Sequence, residues 1–150
     1  MALRTHQPQS SCKLCNHRQH RRHGKLMEFL YKEESYKILG AIFEVYREKG
    51  CGFLEDVYQE CLEIEMKSQG IPAVSKPKLE LEYKGQKLRK SYEPDVICYG
   101  KIVLELKACK AIDPVHIAQL HNYLKATGMR VGYVVNFGSY PKAHYQRVVV

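Results

Sequence analysis

Two acids and a lysine stand where the sequence is otherwise almost wholly apolar. They are Asp95, Glu105 and Lys107, in the stretch EPDVICYGKIVLELK from 93 to 107. The runs Val96-Ile97-Cys98 and Ile102-Val103-Leu104 flank a Tyr99-Gly100 turn signal and read as adjoining strands buried on both faces. Taking an unpaired ion into such strands costs several kcal/mol, so the charges need a purpose. One purpose is a divalent-metal site that cuts phosphodiesters. Mg2+ favours hard oxygen ligands and keeps several waters. Two carboxylates and the Leu106 carbonyl offer such oxygens. Lys107 would orient or deprotonate a water, or stabilise charge building on a phosphate. The alternative is a structural lysine–carboxylate pair.

Register decides whether these groups can meet. A loop of Tyr99, Gly100 and Lys101 between antiparallel strands sets Asp95 directly opposite Glu105, on one face. Lys107 lies two residues beyond Glu105 and points the same way. A loop one residue shorter would put Asp95 and Glu105 on opposite faces.

The elements that must position them follow from periodicity. A helix is expected over 33–48, with Tyr36, Leu39, Ile42, Phe43 and Tyr46 at helical spacing, ended by Gly50-Cys51-Gly52. A second runs over about 55–69, with Tyr58, Cys61, Leu62 and Glu65 near one face; Gly70 and Pro72 stop it. Leu79, Leu81 and Tyr83 alternate with charged residues, as in a half-exposed strand. Lys84-Gly85 turns the chain into a strand that starts near Lys87 and leads to the Asp95 segment. Pro114 opens a helix running to about Ala126, closed by Gly128. A buried strand follows over 131–137, and 146–150 offers a last edge strand. The order is helix, helix, three strands, helix, strand: a mixed α/β domain whose central strands carry the charges.

Composition sets the bounds. At 150 residues the chain is long enough for one domain with a substantial core. It has no run of transmembrane length and no apolar leader at its start, so a cytoplasmic protein without membrane contact is expected. Four of its six cysteines are scattered among apolar positions, as reduced buried thiols are. The net charge of +8 is uneven. Residues 1–25 hold six Lys or Arg and no acid, whereas 26–150 hold 18 basic and 16 acidic groups. The segment 1–26 therefore reads as a basic, disordered tail, and 27–150 as the folded domain. Cys12, Cys15, His17, His20 and His23 are zinc-type ligands, but they lack the long separation between ligand pairs of a zinc finger. Nonspecific nucleic-acid affinity is the better reading of this tail.

Pro94-Asp95 and Glu105-Leu106-Lys107 resemble the motif of PD-(D/E)XK nucleases, and the element order resembles that superfamily's α-β-β-β-α-β core. Gly52-Phe53-Leu54-Glu55-Asp56-Val57-Tyr58 is similar to the GxxExxY signature of a small bacterial and archaeal family placed in it. The similarity spans about 31–150, including YLKATGMRVGYVVNFG at 123–138. The resemblance implies further site residues. Glu55 matches the helix acid that completes a metal site with Asp95 and Glu105; by itself it would be an acid favoured by a helix N-terminus. Tyr58 shares its helical face and is either a nucleic-acid contact or core. Gln119 and Tyr123 resemble a Q-x-x-x-Y element that lies near the active site and the nucleic-acid backbone; the bland account is an ordinary amphipathic helix. His116 either faces the same site or is a solvated helix-start residue.

The resemblance thus implies a Mg2+- or Mn2+-dependent nuclease acting on nucleic acid, DNA foremost. Glu55, Asp95 and Glu105 would hold metal and Lys107 would serve the water. The near-neutral domain keeps two alternatives open: a binding module that retains the fold, or an enzyme using metal on another substrate. Dimerisation would be one way for such a domain to build a groove.

Overall fold

The computed structural model describes residues 29–150. The basic tail, with its Cys12–Cys15 pair and histidines, lies outside the described residues. Helix α1 (Lys32–Lys49) buries Ile38, Ala41, Ile42, Val45 and Tyr46, a stripe at three- and four-residue spacing. The buried face is rotated from the expected one: Tyr36 is exposed and Ile38 takes its place. Gly50, at φ 66, ends the helix and donates its N–H to Tyr46 O. Helix α2 (Glu55–Ser68) buries Tyr58, Gln59, Leu62 and Met66.

The sheet is mixed, in the order β1-β4-β5-β6-β7. Its strands are β1 (Ala73–Ser75), β4 (Val96–Cys98), β5 (Ile102–Lys107), β6 (Val131–Asn136) and β7 (His144–Val149). Only β5 and β6 run parallel, and helix α3 (Pro114–Thr127) joins them. Asp113 caps α3 through a 2.8 Å bond from Val115 N–H to its carboxylate, and Pro114 follows it. Helices α1 and α2 cover the face made by Val96, Cys98, Ile102, Leu104 and Leu106. Helix α3 covers the opposite face, packing on Ile97, Val103 and Val134.

Two features of the sheet lie beyond the sequence pattern. Strands β2 (Leu79–Tyr83) and β3 (Gln86–Tyr92) form a separate two-stranded hairpin and do not join the central sheet. The place beside β4 belongs to β1, whose three residues are too short to show a period. Pro94 explains the break: lacking an N–H, it interrupts the chain between β3 and β4. Among the described residues, no helix is long and apolar enough to cross a membrane.

Candidate active site

The β4–β5 register pairs Val96 with Leu104, Ile97 with Val103 and Cys98 with Ile102. That is the pairing a loop of Tyr99, Gly100 and Lys101 requires, with Tyr99 at φ 53 and Gly100 at φ 66. Asp95 stands just before β4. Its Oδ2 accepts a 2.6 Å hydrogen bond from Leu106 N–H, taking over where Pro94 ends the ladder. Its own carbonyl accepts from Gln59 Nε2 at 2.7 Å and Lys76 N–H at 2.9 Å. Helix α2 and the residue that follows β1 thereby fix the acid's backbone.

Glu105 and Lys107 lie on the α3 face of β5, separated by buried Leu106. They open into a cavity of about 270 Å³ that Ser91, Tyr92, His116, Gln119 and Tyr123 help to line. Gln119 and Tyr123 therefore line one cavity with Glu105 and Lys107. His116 is half-buried in the same wall, with Nδ1 buried and unpartnered, and is not a solvated helix-start residue.

Tyr92 was not legible as a site residue. Its hydroxyl donates to Glu105 Oε1, and its ring stacks on Tyr123 with centroids 3.7 Å apart and planes within 2°. Burial, then the Glu105 charge, pushes the Tyr92 phenol above its ordinary range. Its only signal was a tyrosine closing a strand of exposed polar residues.

The electrostatics match crowded acids. Burial, opposed by the Tyr92 hydrogen bond and aided by Asp95, raises Glu105 from 4.5 to about 7. Asp95 is also raised, chiefly by burial, against the Leu106 hydrogen bond and Lys107. Lys107 lies close enough to act on both carboxylates, yet it makes no ion pair among the described residues. Glu55 reaches the end of β5 from the start of α2, where its Oε1 accepts from Ala108 N–H at 3.2 Å. Two hard-oxygen donors raised chiefly by burial, with Asp95 adding to the shift of Glu105, fit a divalent cation, which would relieve both. Glu55 adds its charge to both, raising Asp95 and Glu105 further. Among the described residues no three His, Cys, Asp or Glu side chains gather as a metal-ligand cluster.

Tyr58 is corrected from nucleic-acid contact to core. It is fully buried, stacks on Phe137 at 4.4 Å, donates to Gly50 O at 2.7 Å and accepts from Phe53 N–H at 3.2 Å. The hydroxyl clamps the loop before α2, in which Gly52 holds φ 110. The Gly-to-Tyr signature is thus a folded unit that presents Glu55.

A second unnoticed brace is Asn136, fully buried at the end of β6. Its Oδ1 accepts from Cys109 and Gly138 N–H, each at 3.0 Å, and its Nδ2 donates to Cys109 O at 2.8 Å and Ser139 Oγ at 3.0 Å. It ties down the chain just beyond Lys107. Its signal was a single amide ending an apolar run.

The family model of the PD-(D/E)XK nuclease superfamily matches residues 32–148. The chain belongs to that superfamily. No curated protein matches it. A solved structure, the crystal structure of SSO0001, is similar at 20% identity and a TM-score of 0.48 over 63% of this chain. The chain spans 50% of that protein's length.

Proposed function

We propose that this superfamily member is a metal-dependent nuclease of the GxxExxY type, hydrolysing phosphodiester bonds in nucleic acid, DNA foremost. The observation that carries the reading is the cavity that Glu105 and Lys107 share with Gln119 and Tyr123, with the Asp95 charge acting on Glu105. Asp95 and Glu105 would hold Mg2+ or Mn2+, with Glu55 adding negative charge from the start of α2. When bound, such a cation supplies charge to the scissile phosphate and acidity to a water. Lys107, which makes no ion pair among the described residues, holds the attacking water or balances the phosphate's charge. Gln119 offers an amide to the phosphate. Tyr92 holds Glu105 in one rotamer through its hydroxyl, and Tyr123 holds Tyr92 through its ring.

The test is nicking of plasmid, linear and single-stranded DNA, and of RNA, with Mg2+ or Mn2+. Asp95→Ala and Lys107→Ala should each lower cleavage at least 100-fold, as loss of a main electrostatic or proton-transfer group does. Cleavage that both variants retain would refute the site. One observation favours a second reading, a binding module that keeps the fold without cutting: residues 29–150 are close to neutral, with 18 basic against 15 acidic groups. Nucleic-acid affinity without cleavage under any metal would support it.

A further inference from the structure

The described domain is not evenly neutral. Residues 29–150 carry 18 Lys or Arg and 15 acids, a net +3. Residues 76–90 alone carry six Lys or Arg and two acids, a net +4, so everything else nets −1. The positive excess of the fold is therefore confined to the β2–β3 hairpin and its approach. Lys87 pairs with Glu80 and Lys76 with Asp56. Lys78, Lys84, Arg89 and Lys90 are exposed and make no ion pair among the described residues.

The hairpin's shape serves these charges. Glu80 pairs with Ser91 and Glu82 with Lys87, so Leu81 alone on β2 faces Leu88, Arg89 and Lys90 on β3. The surplus is a bulge through those β3 residues, and bulges re-aim side chains beside functional sites. At the tip Tyr83 is 64% exposed, with the Lys84 ammonium 5.4 Å from its ring centre. At the base, Ser91 and Tyr92 line the cavity that holds Glu105 and Lys107. A lone hairpin is marginally stable in water. This one is anchored by Leu79 and Leu81 in the core beneath α3. From Tyr92 to the Lys84–Gly85 turn the strand spans roughly 25 Å, at about 3.3 Å per residue. That is about seven nucleotide steps of roughly 3.4 Å along one strand.

We propose that the β2–β3 hairpin is the nucleic-acid-binding arm of this protein, gripping the sugar-phosphate backbone and leading it to the cavity at Tyr92. Lys78, Lys84, Arg89 and Lys90 neutralise phosphates, and Tyr83 offers a face on which an unpaired base can stack. The assignment rests on the nuclease reading for what lies at the arm's base, but not on cleavage.

The experiment uses the full chain with chelator present and a fluorescent DNA duplex, its single strand and the matching RNA, across a salt series. The Lys78→Gln/Lys84→Gln/Arg89→Gln/Lys90→Gln variant should bind at least tenfold more weakly near 0.1 M salt. Its slope of log K against log salt should fall by about 3 to 4, at about 0.9 for each phosphate no longer neutralised. Exchanging the same positions between Lys and Arg should restore both. Unchanged affinity and slope in the Gln variant would overturn the arm while leaving the nuclease reading standing if the wild type cuts. A wild type that binds none of the nucleic acids would overturn both. A variant that loses affinity only for anionic vesicles would assign the arm to a membrane surface and also overturn the proposal.

Discussion

Glu105 is a carboxyl group raised to about 7, chiefly by burial, and only Tyr92 and Lys107 favour its charged form. An acid raised in the fold binds its proton more tightly there than in the unfolded chain. The penalty is absent below about 4.5, grows as pH rises, and is complete above about 7. Stability of the metal-free protein therefore falls across that window. At about 1.4 kcal/mol per unit the cost is at most roughly 3.5 kcal/mol, less what water screens from a half-buried group. Asp95 acts in the same direction. We expect Glu105→Gln to raise the thermal midpoint in chelator at pH 8 and to change it little at pH 5. Equal shifts at both pH values would refute a titrating Glu105. Tyr92, its hydrogen-bond partner, could not be foreseen, because nothing local says which strand a hairpin tyrosine will reach.

The end of β5 is an element held from three sides: by Glu55 from α2, by Asp95 before β4 and by Asn136 from β6. Gly138 closes the last side. A Cβ there would overlap the backbone of Ala108 and Cys109, atoms that cannot swing away. Gly138→Ala should therefore destabilise by roughly 2 kcal/mol or more, in the range of overpacked cores, and lower cleavage by displacing Lys107. Urea unfolding and nicking rates measure the two effects. A variant of wild-type stability would show that the loop gives way freely. Tyr58→Phe should cost about 1–3 kcal/mol in urea unfolding, since two part-buried hydrogen bonds, to the Gly50 carbonyl and from Phe53 N–H, are lost together. Most elements were legible from periodicity and stop signals, including the three-residue loop that sets the β4–β5 register. The three-residue β1 and the separation of the hairpin were not. The first has too few residues for a pattern, and the second depends on which neighbours complete a sheet.

For the molecule as a whole, the proposed metal would compete with protons for the same two carboxylates. A cation that binds only the folded protein stabilises it by about 2.7 kcal/mol at 100 times its Kd. Below about 7 it must first displace the Glu105 proton. Mn2+ should thus raise the thermal midpoint more at pH 8 than at pH 5.5, and not at all in Asp95→Asn. A shift that survives this substitution would place the metal elsewhere. The sequence by itself determined the chemistry on offer and its local geometry. Given a three-residue loop, strand alternation sets Asp95, Glu105 and Lys107 on one side of adjoining strands, because side-chain direction follows the backbone's two-residue repeat. Only the tertiary structure decided what surrounds them. Tyr92 on Glu105, Gln59 and Asn136 as braces, His116 in the cavity wall and the basic hairpin at its mouth join residues far apart in the chain. Their meeting is set by which faces bury together, and no periodicity within a single segment records that.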